Sequence, residues 1–284
     1  MDLRSLLFVP GDRPDRMEKA LHSGADALIL DLEDSVALDA KAMARAAIAE
    51  RLGGERGGPM LFVRINPLQG DLAAADLAAI VRARPDAIVL PKAEGADSLR
   101  SLDRLLTEHG DTRAAILPIA TETPAAMFRL GDYGGVTPRL TGLTWGAEDL
   151  PAAIGATTAR AEDGRYTAPI ELARSLALFG AHAAGVAAIE TVYPDFRDLD
   201  GLARYAARGA RDGFTGMMAI HPAQVSVINA AFTPSEAAIA SARRIVDAFA
   251  ADPAAGVLSI DGRMVDAPHL KQARRLLERA AARR

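Results

Sequence analysis

Glu122 and Asp149 are the residues on which chemistry could be built. Each follows an apolar run: 114–120 leads into Thr121–Glu122–Thr123–Pro124, and 140–145 leads into Gly146–Ala147–Glu148–Asp149–Leu150. A buried strand that stops and then presents a carboxylate is how an α/β enzyme places charge at the mouth of a pocket. The chain has no cysteine and 5 histidines. The donors are therefore oxygens, which suit Mg2+ better than zinc. Mg2+ takes about six ligands and usually only one or two protein carboxylates, which leaves positions for water and for a chelating substrate such as a 2-oxo acid. A structural reading stands beside this one. Pro124 and Pro151 both look like first-turn prolines, so either acid could cap the helix that follows.

Other charged groups stand after apolar runs. They are Asp31, Glu33 and Asp34, then Arg64 and Asn66, Lys92, Glu148, Glu190 and His221. Arg64 is the natural partner of a substrate carboxylate, because a guanidinium meets two oxygens as a fork. Its alternative is a buried ion pair with Asp31 or Glu33. Of the three acids around Leu32, one could face the metal through water while the others anchor Arg64 or the first loop. Lys92 could form a Schiff base, or serve as a fixed cation. His221 reads as a structural hydrogen-bonder, and Trp145, the only tryptophan, reads as lying at the edge.

The elements that must position these groups are short apolar runs at 5–9, 27–32, 60–65, 87–90, 114–120, 140–145, 185–189 and 216–220. They do not alternate, which suits parallel strands covered on both faces. Helical patterns lie between them at 13–23, 39–52, 71–83, 96–108, 124–130, 168–183, 193–207 and 222–231. Eight such units predict a (β/α)8 TIM barrel over 1–233. A doubly wound sheet would need a glycine-rich phosphate loop, and Phe8–Val9–Pro10–Gly11–Asp12 lacks that spacing. A C-terminal helical extension, 234–284, carries helical patterns at 235–251 and 267–283, with a short strand and turn at 256–262. It could fold back or dock on a neighbouring subunit.

The 284 residues are half apolar and carry a net charge of −4. No basic footprint points to nucleic acid or an anionic membrane. The absence of cysteine excludes disulfides and thiolate nucleophiles. No run resembles a signal peptide or a membrane span, so a soluble cytoplasmic protein is expected.

Taken in order, Leu6–Leu7–Phe8–Val9–Pro10–Gly11, Asp31–Leu32–Glu33–Asp34–Ser35–Val36, Val63–Arg64–Ile65–Asn66, Ala120–Thr121–Glu122–Thr123–Pro124, Gly146–Ala147–Glu148–Asp149–Leu150 and Ile220–His221–Pro222 resemble the citrate lyase beta subunit family. Malyl-CoA and citramalyl-CoA lyases are its relatives. The resemblance implies a Mg2+-dependent barrel, acting as a homotrimer or dimer of trimers, that makes or breaks a carbon–carbon bond between a 2-oxo acid and a coenzyme A thioester. It implies Glu122 and Asp149 as metal ligands, Arg64 and Glu122 in the oxo-acid site, and the Gly146–Ala147–Glu148 backbone beside the substrate carboxylate. Met264–Val265–Asp266–Ala267–Pro268 resembles the segment carrying the family's catalytic acid, so Asp266 is that candidate, delivered across a subunit interface. An N-cap for the last helix is its plainer role. Glu33 and Asp34 join Arg64 as candidate catalytic groups. Arg13, Arg16, Lys19 and Lys92 are candidates for the coenzyme A phosphates. Acyl-carrier or transferase subunits are possible partners. A metal-dependent aldolase acting on 2-oxo-3-deoxy acids without coenzyme A, and a non-catalytic subunit of a larger complex, are the rival readings.

Overall fold

A computed structural model describes residues 3–281 of the chain. Eight strands, β1 (Ser5–Pro10), β2 (Ala27–Asp31), β3 (Met60–Arg64), β4 (Ala87–Leu90), β5 (Ala115–Pro118), β6 (Gly142–Thr144), β7 (Ala187–Glu190) and β8 (Gly216–Ala219), form one sheet in the order β5-β4-β3-β2-β1-β8-β7-β6. Every pairing within it is parallel. The sheet closes where β5 meets β6. There Ile116 pairs with Leu140 and Ile119 with Thr144 as isolated bridges, and Ala120 N–H donates to Thr144 O at 2.9 Å. The architecture is the (β/α)8 barrel that the apolar runs predict.

The strand sequences are apolar throughout because both of their faces are covered. Ala27, Ile29, Phe62, Val89, Leu117 and Met218 belong to one buried cluster. Their chain neighbours Leu28, Leu30 and Ile88 are equally inaccessible, at 0% exposure. Gly11 is required by a close approach after β1. A Cβ there would lie 2.4 Å from the Asp31 carbonyl oxygen, which accepts the Gly11 N–H at 2.9 Å.

The helix predicted over 193–207 runs from Leu199 to Asp212. Its start is set by Asp198, whose side chain accepts the Gly201 N–H at 2.8 Å; residues 193–198 form a loop containing Pro194. The helix that Pro151 marks after β6 is five residues long, Asp149–Ala153.

The chain divides into two compact units, Leu3–Asn229 and the residues from Ala230 onward. In the second unit, Ser235 Oγ caps the helix Glu236–Ala251 by accepting the Ala238 N–H at 3.2 Å. An antiparallel hairpin comes next, β9 (Val257–Ile260) and β10 (Arg263–Asp266). It turns at Asp261 (φ 53°) and Gly262 (φ 76°), the Asp-Gly pair that a tight hairpin favours. The sequence pattern suggests only one strand here. The final helix is Ala267–Ala281; positions 282 and 283 of the predicted helix lie outside the described residues.

Candidate active site

The ends of β2 and β3 place Asp31 beside Arg64 in register. The pair is two-pronged: Arg64 Nε to Asp31 Oδ1 is 2.6 Å and Nη2 to Oδ2 is 2.7 Å. Arg64 Nη1 also reaches Glu33 Oε2 at 2.9 Å. Burial alone would lower the arginine's pKa, but the Asp31 and Glu33 carboxylates overcome it and hold the guanidinium above its ordinary value. Burial would raise Asp31, and Arg64, together with the Ser35 and Glu33 N–H groups, more than reverses this and holds its carboxyl below the ordinary value. The buried ion pair considered for Arg64 is therefore present. A guanidinium carries five N–H donors; Asp31 takes two of them, and Nη1 faces Glu33 as an ion pair.

Lys92, Glu33, Glu122 and Asp149 form a second cluster at the ends of β4, β2, β5 and β6. Lys92 Nζ lies 2.8 Å from Glu33 Oε1 and 3.2 Å from Asp149 Oδ1. Its main-chain N–H donates to Glu122 Oε2 at 2.6 Å. Lys92 does this from a left-handed backbone, φ 50°, a conformation that strains a residue with a Cβ. Glu122 is 4% exposed. Burial, with the negative charges of Glu33 and Asp149 beside it, pushes its carboxyl up to about 8 against the pull of the Lys92 N–H and ammonium. Burial is also what raises Glu33, against the opposing pull of Arg64 and Lys92.

Capping does not occupy either acid. The helix after β5 is capped by Thr123 Oγ1, which accepts the Ala126 N–H at 3.2 Å. Asp149 opens its short helix without capping it, and Glu148 at the cap position makes no side-chain cap bond. Placing Glu122 at a solvent-facing mouth needs correction, because its carboxyl is enclosed. Gly146 forms part of the enclosure: a Cβ on it would lie 3.0 Å from Glu122 Cγ and 3.2 Å from Oε1. Thr121 Oγ1 binds both the N–H and the carbonyl of Gly146, each at 3.1 Å, and so fixes the end of β6 against the end of β5. Ala147 is buried and Glu148 exposed.

Several supporting groups are not evident from the strand ends alone. Lys41, 7% exposed, donates its ammonium to the carbonyls of Leu32 at 2.7 Å and Glu33 at 3.0 Å. Asn66 Nδ2 reaches the same Leu32 carbonyl at 3.0 Å and Asp76 Oδ2 at 2.7 Å; Asp76 is held in turn by Arg45 at 2.7 Å. The strand-end turn bearing Glu33 is thus pinned from beneath. Lys41 sits at the first position of its helix, where a solvated face is the ordinary reading of a lysine. Trp145 is fully buried rather than at the edge, with its indole N–H on Glu190 Oε1 at 2.6 Å.

The remaining candidates divide. Asp34 is exposed. Arg13, Arg16 and Lys19 are exposed along the first helix; the nearest carboxylate to Arg13 is Asp12, 3.7 Å away. Lys92 stands apart from these three, because its ammonium lies among the acids. His221 is exposed and stacks on Phe196 with ring centroids 4.9 Å apart, while Gln224 accepts its N–H at 3.2 Å. In the second unit, Asp266 ends β10 with His269 Nδ1 2.5 Å from its Oδ1.

Among the described residues no three His, Asp or Glu side chains converge as a ready-made metal cage. A hard cation satisfied mainly by water and substrate does not need one. The pair Glu122 and Asp149 fits such an ion. Glu122 meets the main-chain N–H of Lys92 and Asp149 meets its ammonium, and Glu122 keeps Oε1 clear of any hydrogen bond to the described residues.

Comparisons with known proteins give the chain's family. The model of the HpcH/HpaI aldolase/citrate lyase family matches residues 4–222, and that of a C-C bond lyase of the TIM-barrel fold matches 167–283. A (3S)-malyl-CoA thioesterase of Cereibacter sphaeroides is 35% identical over 98% of this chain and 95% of its own length. The citrate lyase subunit beta of Haemophilus influenzae is 33% identical over 98% of this chain and 96% of its own. Protein CitE of Mycobacterium tuberculosis, solved with magnesium, acetoacetate and coenzyme A, superposes with a TM-score of 0.82 at 34% identity, covering 99% of this chain and 98% of that one. No described helix is long and apolar enough to cross a membrane. On its sequence and its fold alike, the chain belongs to the HpcH/HpaI aldolase/citrate lyase family.

Proposed function

We propose that the chain is a Mg2+-dependent carbon–carbon lyase. It cleaves or forms a 3-hydroxyacyl thioester of the citryl-CoA or malyl-CoA type, with a 2-oxo acid (oxaloacetate, glyoxylate or pyruvate) and acetyl-CoA or a related acyl-CoA as the other side of the reaction. The observation that carries this reading is that Lys92 touches both acids, Glu122 through its main-chain N–H and Asp149 through its ammonium, while Glu33 links the same ammonium to Arg64. The names of the two sequence relatives and the ligands bound to CitE support the substrate class.

Glu122 and Asp149 are the groups that would hold the cation. When bound, Mg2+ supplies Lewis-acid stabilisation to oxygen that gains charge as the bond breaks. Arg64, rigid through Asp31, offers its remaining N–H groups to the oxo-acid carboxylate, with the Gly146–Glu148 backbone beside that carboxylate. This gives the substrate one orientation. Glu33 joins Arg64 to Lys92, and Lys41 holds the Glu33 turn in place. In cleavage the substrate hydroxyl gives its proton to Glu33, the strand-end carboxylate beside Arg64 and Lys92, the carbon–carbon bond breaks, and a 2-oxo acid and a thioester enolate separate. Asp266 protonates the enolate carbon, or removes that proton in the condensation direction. It acts from a neighbouring copy in a homotrimer or dimer of trimers, and its contact with His269 gives it a partner for that proton. Arg13, Arg16 and Lys19 meet the coenzyme A phosphates, as exposed cations on one helix can.

The test is a product assay with malyl-CoA and citryl-CoA, reading oxo acid and free thiol separately. Oxo acid with no free thiol is the expected lyase result. Free thiol together with an intact hydroxy acid would instead make the site a thioesterase, as the name of the Cereibacter sphaeroides relative describes. Glu122→Gln and Asp149→Ala should each abolish turnover; parent-like rates in either would remove the metal assignment.

A further inference from the structure

Glu190, at the end of β7, is a charged group that the proposed chemistry does not use. It is 0% exposed, and a carboxylate enclosed in this way survives only if its oxygens are well partnered. Its Oε1 accepts the Trp145 indole N–H at 2.6 Å, the Tyr205 hydroxyl at 2.9 Å and the Thr191 N–H at 3.0 Å. Its Oε2 faces Arg174, with Nε at 2.8 Å and Nη2 at 2.7 Å. A packed apolar residue would fill the same space without needing any of these partners. What an apolar residue could not do is grip the indole N–H.

Trp145 leads directly into the turn that carries Asp149, and that gives the grip its importance. The next residue is Gly146, which lies against the Glu122 side chain and is bound at both its N–H and its carbonyl by Thr121. Asp149 comes three residues later. Glycine is free to rotate, so a turn that begins with one must be held from both sides. Thr121 holds Gly146 itself. Glu190 holds the residue before it, and Tyr166 closes edge-on over the indole with centroids 5.3 Å apart.

We infer that Glu190 is a positioning residue for the cation site: through Trp145 it fixes the Gly146–Asp149 turn and so the place of Asp149 relative to Glu122. The inference rests on the reading of Asp149 and Glu122 as ligands of a divalent cation.

Its test is Mg2+ binding measured by calorimetric titration, on variants first shown to be folded by circular dichroism melts. Removal of an outer support of a metal site weakens affinity by about tenfold or more, and this is the loss expected for Glu190→Met, which keeps the length of the side chain and removes the acceptor for the indole N–H. Trp145→Phe leaves the carboxylate with Arg174, Tyr205 and Thr191 and cuts only the link to the turn. It should lose a similar factor, and the double variant should bind no worse than Glu190→Met alone, because both changes break one connection. Parent-like affinity in folded Glu190→Met and Trp145→Phe would overturn the inference, as would losses that simply add. If Glu190→Met does not fold, Trp145→Phe decides the matter alone. Asp149→Ala serves as reference. If it binds Mg2+ like the parent, the metal reading has failed and takes this inference with it; if it loses binding while the other two do not, only the inference has failed.

Discussion

The main-chain N–H of Lys92 donates to Glu122 at 2.6 Å from a backbone turned to φ 50°. One residue therefore makes two contributions to the site: a strained peptide that orients one acid, and a side chain that reaches Glu33 and Asp149. These can be separated. Lys92→Gly removes the ammonium and relieves the left-handed strain, whereas Lys92→Ala removes the ammonium and keeps the strain. The glycine variant should be the more stable of the two by about 1 kcal/mol, with turnover lost in both. Urea melts and a turnover assay check this.

Glu122 sets a pH dependence. Its carboxyl titrates near 8 in the folded chain, against an ordinary 4.5. Below about 8 it holds a proton that a divalent cation must expel. Mg2+ affinity should therefore climb with pH by up to about tenfold per unit, then level off. The stability of the protein in chelator runs the other way. Between 4.5 and 8 the unfolded chain has released a proton that the folded chain keeps, so stability falls as pH rises through that window. Glu122→Gln should flatten the stability curve and abolish Mg2+ binding. Calorimetric titrations and melts at several pH values read both effects.

Arg64→Lys should be severe for two reasons. An ammonium cannot reproduce the two-pronged contact with Asp31, and Asp31, 1% exposed, would be left under-partnered. A loss of about 2 kcal/mol in stability is expected, with turnover at saturating Mg2+ reduced by orders of magnitude. Denaturant melts and initial rates at high substrate would reveal it; parent-like stability would show that the pair does not matter to the fold.

Lys41→Met tests the support beneath Glu33. It removes the donor shared by the Leu32 and Glu33 carbonyls and should cost about 1–3 kcal/mol. Turnover should fall even where the variant is fully folded, since the Glu33 turn loses its anchor. A parent-like rate in the folded variant would confine Lys41 to a role in stability.

Much of this was legible in the residues themselves. Strands buried on both faces declare themselves as unbroken apolar runs, so β1 to β8 can be read from hydropathy. Glu122, Asp149 and Arg64 are marked by standing where those runs end. Partnership across distance in the chain leaves no such mark. Trp145 and Glu190 are 45 residues apart, and nothing local distinguishes a strand-end tryptophan at the rim from one sealed by a carboxylate. Lys41 is hidden for the same reason: its partners lie on a turn that only the closed barrel brings above it. The start of the helix at Leu199 is signalled by Asp198, the N-cap, and by Pro194 in the loop before it, signals that the apolar spacing alone does not weigh.

The ring of strands is thinnest between β5 and β6, where isolated bridges replace a continuous ladder. Glu122 and Asp149 hang from the two sides of that seam. An ion clasped by both would then act as a rivet, and the amides nearest the join, Ala120 and Thr141, should exchange with deuterated water more slowly once the rivet is in place. Loading the site would tighten the wall of the barrel itself.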